Sequence, residues 1–184
     1  MKITSGIYKY RNIEVPKGIR PTTEKVREAV FSMIMQWLPD AEVLDLFAGS
    51  GAMGLEALSR GAAACTFAEI NRQNQRILTA NIENCGAVEK STVIGKDYAS
   101  AISTISGRRP DAVFDIVIMD PPYEKTGYYD EAMDLLQQYG LIDEGSIVIC
   151  EHLYDNKLSD TYGRLSRIKE KRYGSIGVDV FTVL

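Results

Sequence analysis

Residues 43–61 read "VLDLFAGSGAMGLEALSRG". The run from Val43 to Phe47 is apolar except for Asp45, as in a buried strand. Gly49, Gly51 and Gly54 follow in a GxGxxG spacing, and "AMGLEALSRG" then reads as a helix closed by Gly61. Strand, glycine turn and helix make the opening unit of a doubly wound α/β sheet. Glycines permit a tight turn and close backbone approach, and the helix start offers free N–H groups. An ordinary glycine-rich turn looks the same in isolation, so the rest of the chain has to decide.

Downstream the pattern repeats. "ACTFAE" is a strand, Asn71 to Asn84 a helix, "STVIG" a strand, and a helix starts near Tyr98. "FDIVIMD" is the next strand, a helix follows from Asp130, and "SIVICE" is the fifth strand. Such alternation with short connections predicts a parallel sheet covered on both faces. "GRLSRIKEKRY", "GS" and "IGVDVFTVL" predict an antiparallel hairpin at the sheet edge. Upstream, residues 2–15 read as a short β-hairpin or arm around Gly6. In "RPTTEKVREAVFSMIMQWLPD", Pro21 and the threonines mark a helix start. Val26, Val30, Ile34 and Trp37 or Leu38 make its apolar stripe, and Pro39 ends it. The expectation is a Rossmann-like α/β fold with a seven-stranded, mostly parallel sheet. A basic arm over 1–20 precedes the main domain over 21–184.

The 184 residues suit one domain, and 45% apolar with 25% charged residues is ordinary for a globular chain. No apolar run is long enough for a membrane span, and "MKITSGIYKY" lacks the apolar stretch of a signal peptide. Cys65, Cys85 and Cys150 form no CxxC and are odd in number, which argues against disulfides and thiolate zinc. His152 is the single histidine, so neither a His-rich metal site nor a histidine triad is expected. These features together predict a cytoplasmic protein, with a monomer as the default. Residues 1–27 hold seven basic and two acidic residues, a net +5; the whole chain is at −4, leaving −9 for the remainder. A basic arm on an acidic body suits an anionic partner, although a solvated charged face explains it equally well.

Acidic residues at strand ends narrow the ligand. Glu69 lies twenty residues after Gly49, where a carboxylate can accept from ribose hydroxyls. That geometry serves any nucleoside cofactor, NAD included. Asp45 lies inside the first strand, where a plain apolar strand carries no charge. It favours a cationic ligand such as S-adenosylmethionine over the pyrophosphate of NAD. Asp97 can accept from an adenine amine with Tyr98 beside the ring, or cap the following helix.

At the end of the fourth strand stands "DPPY", residues 120–123. Two prolines cannot continue a sheet ladder, so the strand stops in a rigid corner. An exocyclic purine amine is a poor nucleophile because its lone pair is delocalised. Two acceptors on its hydrogens favour pyramidalisation and aim the lone pair at an electrophile. Asp120 supplies one acceptor, the Pro121–Pro122 unit can aim a carbonyl as the other, and Tyr123 can stack on the unpaired base. A proline-rich turn with Asp120 as a cap is the plainer alternative. The glycine loop seventy residues upstream makes it the weaker one.

"DPPY" with "LDLFAGSGAMGLEALSRGA" resembles the amino-group methyltransferases of the seven-stranded Rossmann-like class. "SGIYKYRNIEVPKGIRPTTEKVREAVFSMI" is similar to the RsmD-type enzymes, which methylate the N2 amine of one guanine in bacterial small-subunit (16S) ribosomal RNA. The likeness runs nearly end to end and departs at "YKYRN", where the family is more basic and carries glycine. It implies that Gly49, Gly51, Glu69 and Asp97 hold S-adenosylmethionine, in a set completed by Asp45, Phe47 and Tyr98. It implies that Asp120, Pro121, Pro122 and Tyr123 hold the target amine. Lys9, Arg11, Lys17, Arg20 and Arg27 are then the candidate RNA contacts, on naked RNA or an assembling small subunit. No metal is required. The alternatives are a DNA adenine or other amine methyltransferase, an NAD-dependent oxidoreductase, and a non-catalytic RNA-binding module.

Overall fold

The computed structural model describes residues 1–18 and 22–184. Its parallel strands are β1 (Glu42–Asp45), β2 (Ala64–Ala68), β3 (Ser91–Ile94), β4 (Ile116–Met119) and β5 (Ile147–Leu153). Helices α1 (Glu24–Met33), α2 (Ala52–Ser59), α3 (Arg72–Cys85), α4 (Tyr98–Arg108) and α5 (Gly127–Gln138) alternate with them. The chain ends in β6 (Thr161–Tyr162), β7 (Leu165–Tyr173) and β8 (Ile176–Val183). The sheet order is β3-β2-β1-β4-β5-β8-β7-β6, with β8 antiparallel to β5 and β7 antiparallel to β8. The order reverses between β1 and β4, which places a crevice at their carboxyl ends.

Period-two alternation sorts the strand residues into two cores. Val43, Phe67, Ile116, Ile118, Ile147 and Ile149 meet α1, α2 and α3 on one face. Leu44, Val117, Met119, Val148 and Phe181 meet α4 and α5 on the other. Val26, Val30 and Ile34, the stripe read from the sequence, are buried in the first core. Gly54 shows why α2 lies so close to the sheet. A Cβ there would stand 2.3 Å from Phe67 Cε1 and 2.7 Å from Cys65 Sγ, so only glycine admits this packing.

Three expectations need correction. The sheet has eight strands, because the two-residue β6 adds to β7; a strand that short has no readable period. The N-terminal hairpin is reduced to a single antiparallel bridge, Lys2 to Asn12. Ile3, Tyr8 and Ile13 are buried in the first core, so the arm is packed on the body by side chains rather than by a ladder. Helix α5 begins at Gly127, three residues before the expected Asp130. Among the described residues no helix is long and apolar enough to cross a membrane.

Candidate active site

The carboxyl ends of β1, β2, β3 and β4 open into a cavity of about 550 Å³. From β1 and the loop after it come Asp45, Phe47 and Gly49; from β2, Glu69; from the end of β3, Asp97 and Tyr98; from β4, Asp120 to Tyr123. The N-terminal segment closes the cavity with Met1, Val15, Gly18 and Thr22. Asp45 to Tyr123 are thus gathered because parallel strands all deliver their ends to one edge.

On the cofactor side, Asp45 is 2% exposed and its Oδ2 accepts from Gly54 N–H at 3.2 Å. Burial, with a smaller push from Glu69, raises its carboxyl to about 7 against the opposing hydrogen bonds of Gly54 and Phe47. Glu69 Oε2 accepts from Gly49 N–H at 2.9 Å and Oε1 from Asn71 N–H at 2.7 Å. Glu69 therefore braces the glycine loop, a role its spacing does not disclose. Gly51 does not face the cavity. At φ 80° it is the residue before α2, and a Cβ on it would meet Leu78 at 2.4 Å, so it serves the turn and not a direct contact.

Asp97 caps α4, accepting from Ser100 N–H at 2.9 Å and Ser100 Oγ at 2.8 Å. The Ser100 backbone bond is the main reason its carboxyl lies below the usual value. Phe47, Tyr98 and Tyr128 form an aromatic wall: Tyr98 and Tyr128 centroids are 4.8 Å apart, and Phe47 stacks on Tyr128 at 6.0 Å. Tyr128 was not foreseen; it lies in "TGYYDEAM", whose start reads as loop.

On the opposite side, Asp120 is half-buried. Its carboxyl is pushed well up by burial first, then by the charges of Glu151 and Asp45, with a Thr22 hydrogen bond opposing. Thr22 Oγ1 lies 3.3 Å from Asp120 Oδ2 and 2.9 Å from Glu151 Oε2. Pro122's carbonyl accepts from Lys125 N–H at 2.9 Å; among the described residues no backbone donor binds Pro121's. Tyr123 O–H donates to Glu151 Oε1 at 3.0 Å. Thr22 and Glu151 were also missed. Glu151 had a signal, an acidic residue after the apolar run "SIVIC" as Glu69 follows "ACTFA".

The candidate RNA contacts scatter. Lys9, Arg11 and Lys17 are exposed. Lys9 lies over the Tyr10 ring at 4.9 Å, and Arg11 Nη1 donates to Asn84 O at 3.2 Å. Ile7 N–H bonds Ser59 O at 2.8 Å, so this part of the arm sits at the end of α2 away from the glycine loop. Among the described candidates, Lys17, beside Gly18, neighbours the cavity. Arg20 lies outside the described residues. Arg27 is corrected: it is fully buried, and its Nε donates to Glu56 Oε2 at 3.1 Å. It holds Lys2 O through Nη2. Helical periodicity puts Arg27 beside Val26 and Val30 on the inward face, where it meets a buried carboxylate instead of solvent.

The family described as Conserved hypothetical protein 95 matches residues 1–182. Ribosomal RNA small subunit methyltransferase D of Escherichia coli (strain K12) is 32% identical over 183 residues, 98% of this chain and 89% of the relative. YlbH of Bacillus subtilis (strain 168) is 31% identical over 183 residues, 98% of each chain. Among solved structures, yhhF from Escherichia coli matches with a TM-score of 0.87 at 32% identity, covering 100% of this chain and 97% of that one. A family match over nearly the whole length, on a fold whose crevice carries both the glycine loop and DPPY, makes this chain a member of the ribosomal RNA small subunit methyltransferase D family.

Proposed function

We propose that this protein transfers a methyl group from S-adenosylmethionine to the exocyclic N2 amine of one guanine in small-subunit ribosomal RNA. The carrying observation is the shared cavity, with a buried carboxylate and an aromatic wall on one side and Asp120 to Tyr123 on the other. The lining fits the cofactor. Asp45, Glu69, Asp97 and Asp120 line it; a sulfonium and an ammonium favour ionisation of the raised Asp45 and Asp120 carboxyls, whereas a pyrophosphate opposes it. Bound S-adenosylmethionine supplies an electrophilic methyl group there.

The chain's residues do the rest. Asp45 and Glu69 face the cationic and ribose groups, and Phe47, Tyr98 and Tyr128 flank an aromatic base. Asp120 and the Pro121 carbonyl accept the two amine hydrogens and turn the lone pair toward the methyl group, while Tyr123 stacks on the purine. The amine proton leaves after alkylation, when its pKa has fallen. Both halves of the site come from one chain, so a monomer suffices, and a ribosomal substrate places the work in the cytoplasm. Lys9, Arg11, Lys17 and Arg20 of the arm over 1–20 offset the acidic body and hold RNA phosphates.

The test is mass mapping of ribosomal RNA from cells lacking the protein. One unmethylated small-subunit guanine, restored by purified protein with S-adenosylmethionine, is the expected result. An unchanged methylation map would overturn the reading. Methylated adenine in its place would favour the other amine methyltransferases.

A further inference from the structure

Strand β5 carries a carboxylate that the proposed chemistry does not use. Glu151 is 5% exposed and follows the apolar run 147–150 of its strand. Burying a carboxylate is unfavourable unless donors satisfy it, and an apolar residue would fill the same volume without that penalty. Its position is specific. Met119 pairs with Cys150 across β4 and β5, so Glu151, inside β5, stands level with Asp120 just past the end of β4. Glu151 does not itself line the cavity, but two of the residues that bond its carboxylate do. Tyr123 O–H donates to Oε1 at 3.0 Å, and Thr22 Oγ1 reaches Oε2 at 2.9 Å while lying 3.3 Å from Asp120 Oδ2. The backbone carbonyl of Glu151 is held as well, by Tyr129 O–H at 2.5 Å.

We infer that Glu151 is a positioning residue for methyl transfer, holding the Tyr123 ring and the Thr22 hydroxyl in the arrangement that receives the target base. A tyrosine ring swings about its first side-chain torsion, and a bond from its hydroxyl to a buried carboxylate restricts that swing. The stacking platform is then ordered before the base arrives, so its entropy is not lost at the transition state. Thr22 comes from the segment that joins the arm to α1. Through Thr22, Glu151 connects that segment to Asp120 at the end of β4. Glu151 acts through these neighbours and not on the methyl group itself.

This inference rests on the proposed function, and the experiment separates the two. Small subunits from cells lacking the protein are methylated with labelled S-adenosylmethionine by wild type, Glu151→Ala, Glu151→Gln, Tyr123→Phe and the double variants. The losses should fall on kcat, about thirtyfold for Glu151→Ala, with Glu151→Gln losing only about fivefold because its amide oxygen still accepts from Tyr123. In the Tyr123→Phe background the further loss from Glu151→Ala should shrink to about threefold, since the two residues act as one unit. Cofactor affinity by calorimetry should stay within about twofold, as neither side chain reaches the cofactor side. Additive losses, a glutamine variant as damaged as the alanine one, or wild-type kcat in Glu151→Ala would overturn the inference. Should Glu151→Ala fail to fold, the isosteric pair Glu151→Gln and Tyr123→Phe reads the same coupling, and additivity there overturns it too. A wild-type protein inactive on these particles would instead overturn the proposed function, and this inference with it.

Discussion

Replacing Arg27 with Met tests whether this residue belongs to the fold or to the RNA surface. The guanidinium is fully buried, 3.1 Å from Glu56 Oε2, and bonds the Lys2 carbonyl. Glu56 is itself a hub: it accepts from Thr4 N–H at 3.0 Å, Thr4 Oγ1 at 2.6 Å, Ser5 N–H at 3.2 Å and Arg60 Nε at 2.9 Å. Methionine fills the stem volume but leaves Glu56 with one cation, Arg60, at 15% exposure. Removing one partner of a buried pair typically costs 3–5 kcal/mol; the surviving Arg60 pair puts this case at the low end, about 3 kcal/mol. For a domain of this size that is a fall in Tm of about 6–12 °C. The first five residues should loosen, because Arg27 and Glu56 bond Lys2, Thr4 and Ser5. Thermal and urea denaturation read the loss, and filter binding across a salt series reads the RNA side. The expected result is a large stability loss with an unchanged salt slope for RNA binding. Wild-type stability with a slope reduced by about one unit would refute this argument and return Arg27 to the RNA surface.

Asp120→Ala should abolish methyl transfer while sparing S-adenosylmethionine binding, measured by single-turnover labelling and calorimetry; near-normal turnover would remove Asp120 from its role. Asp45, raised to about 7 by burial, holds its proton more tightly folded than unfolded. Its contribution to stability therefore declines as pH rises through the window from the ordinary carboxylate value toward 7, whereas a cationic cofactor favours the ionised form. Cofactor affinity should rise from about pH 5 to 7 and flatten in Asp45→Asn, and a flat wild-type profile would contradict this. Glu69→Ala should weaken cofactor binding by roughly 1.5–3 kcal/mol, since the carboxylate also braces Gly49; unchanged affinity would leave it a surface charge. Arg11→Ala should lower the RNA salt slope by about one unit or slightly less without moving Tm, and an unchanged slope would shift the RNA to another surface.

The order of strands and helices was legible in the chain because each signal is local. An apolar run bounded by glycine or proline reads as a strand, and a stripe such as Val26, Val30 and Ile34 reads as a helix face. GxGxxG and DPPY were legible for the same reason: each motif is a few consecutive residues. Where strands end also follows from sequence, and parallel topology then gathers Asp45, Glu69, Asp97 and Asp120 at one edge. What local patterns cannot carry is which side chain meets which across the sheet. Arg27 reads as one more charge in a basic segment until packing sets Glu56 against it. Glu151 reads as the end of "VICE" until β4 and β5 align it with Asp120 and bring Tyr123 and Thr22, 129 residues apart from Glu151 in the latter case, onto its carboxylate. The arm looks like a hairpin by alternation, yet its length of ladder is set by the α2 surface it covers. A buried charge is defined by its partner, and only the tertiary structure supplies partners from distant sequence.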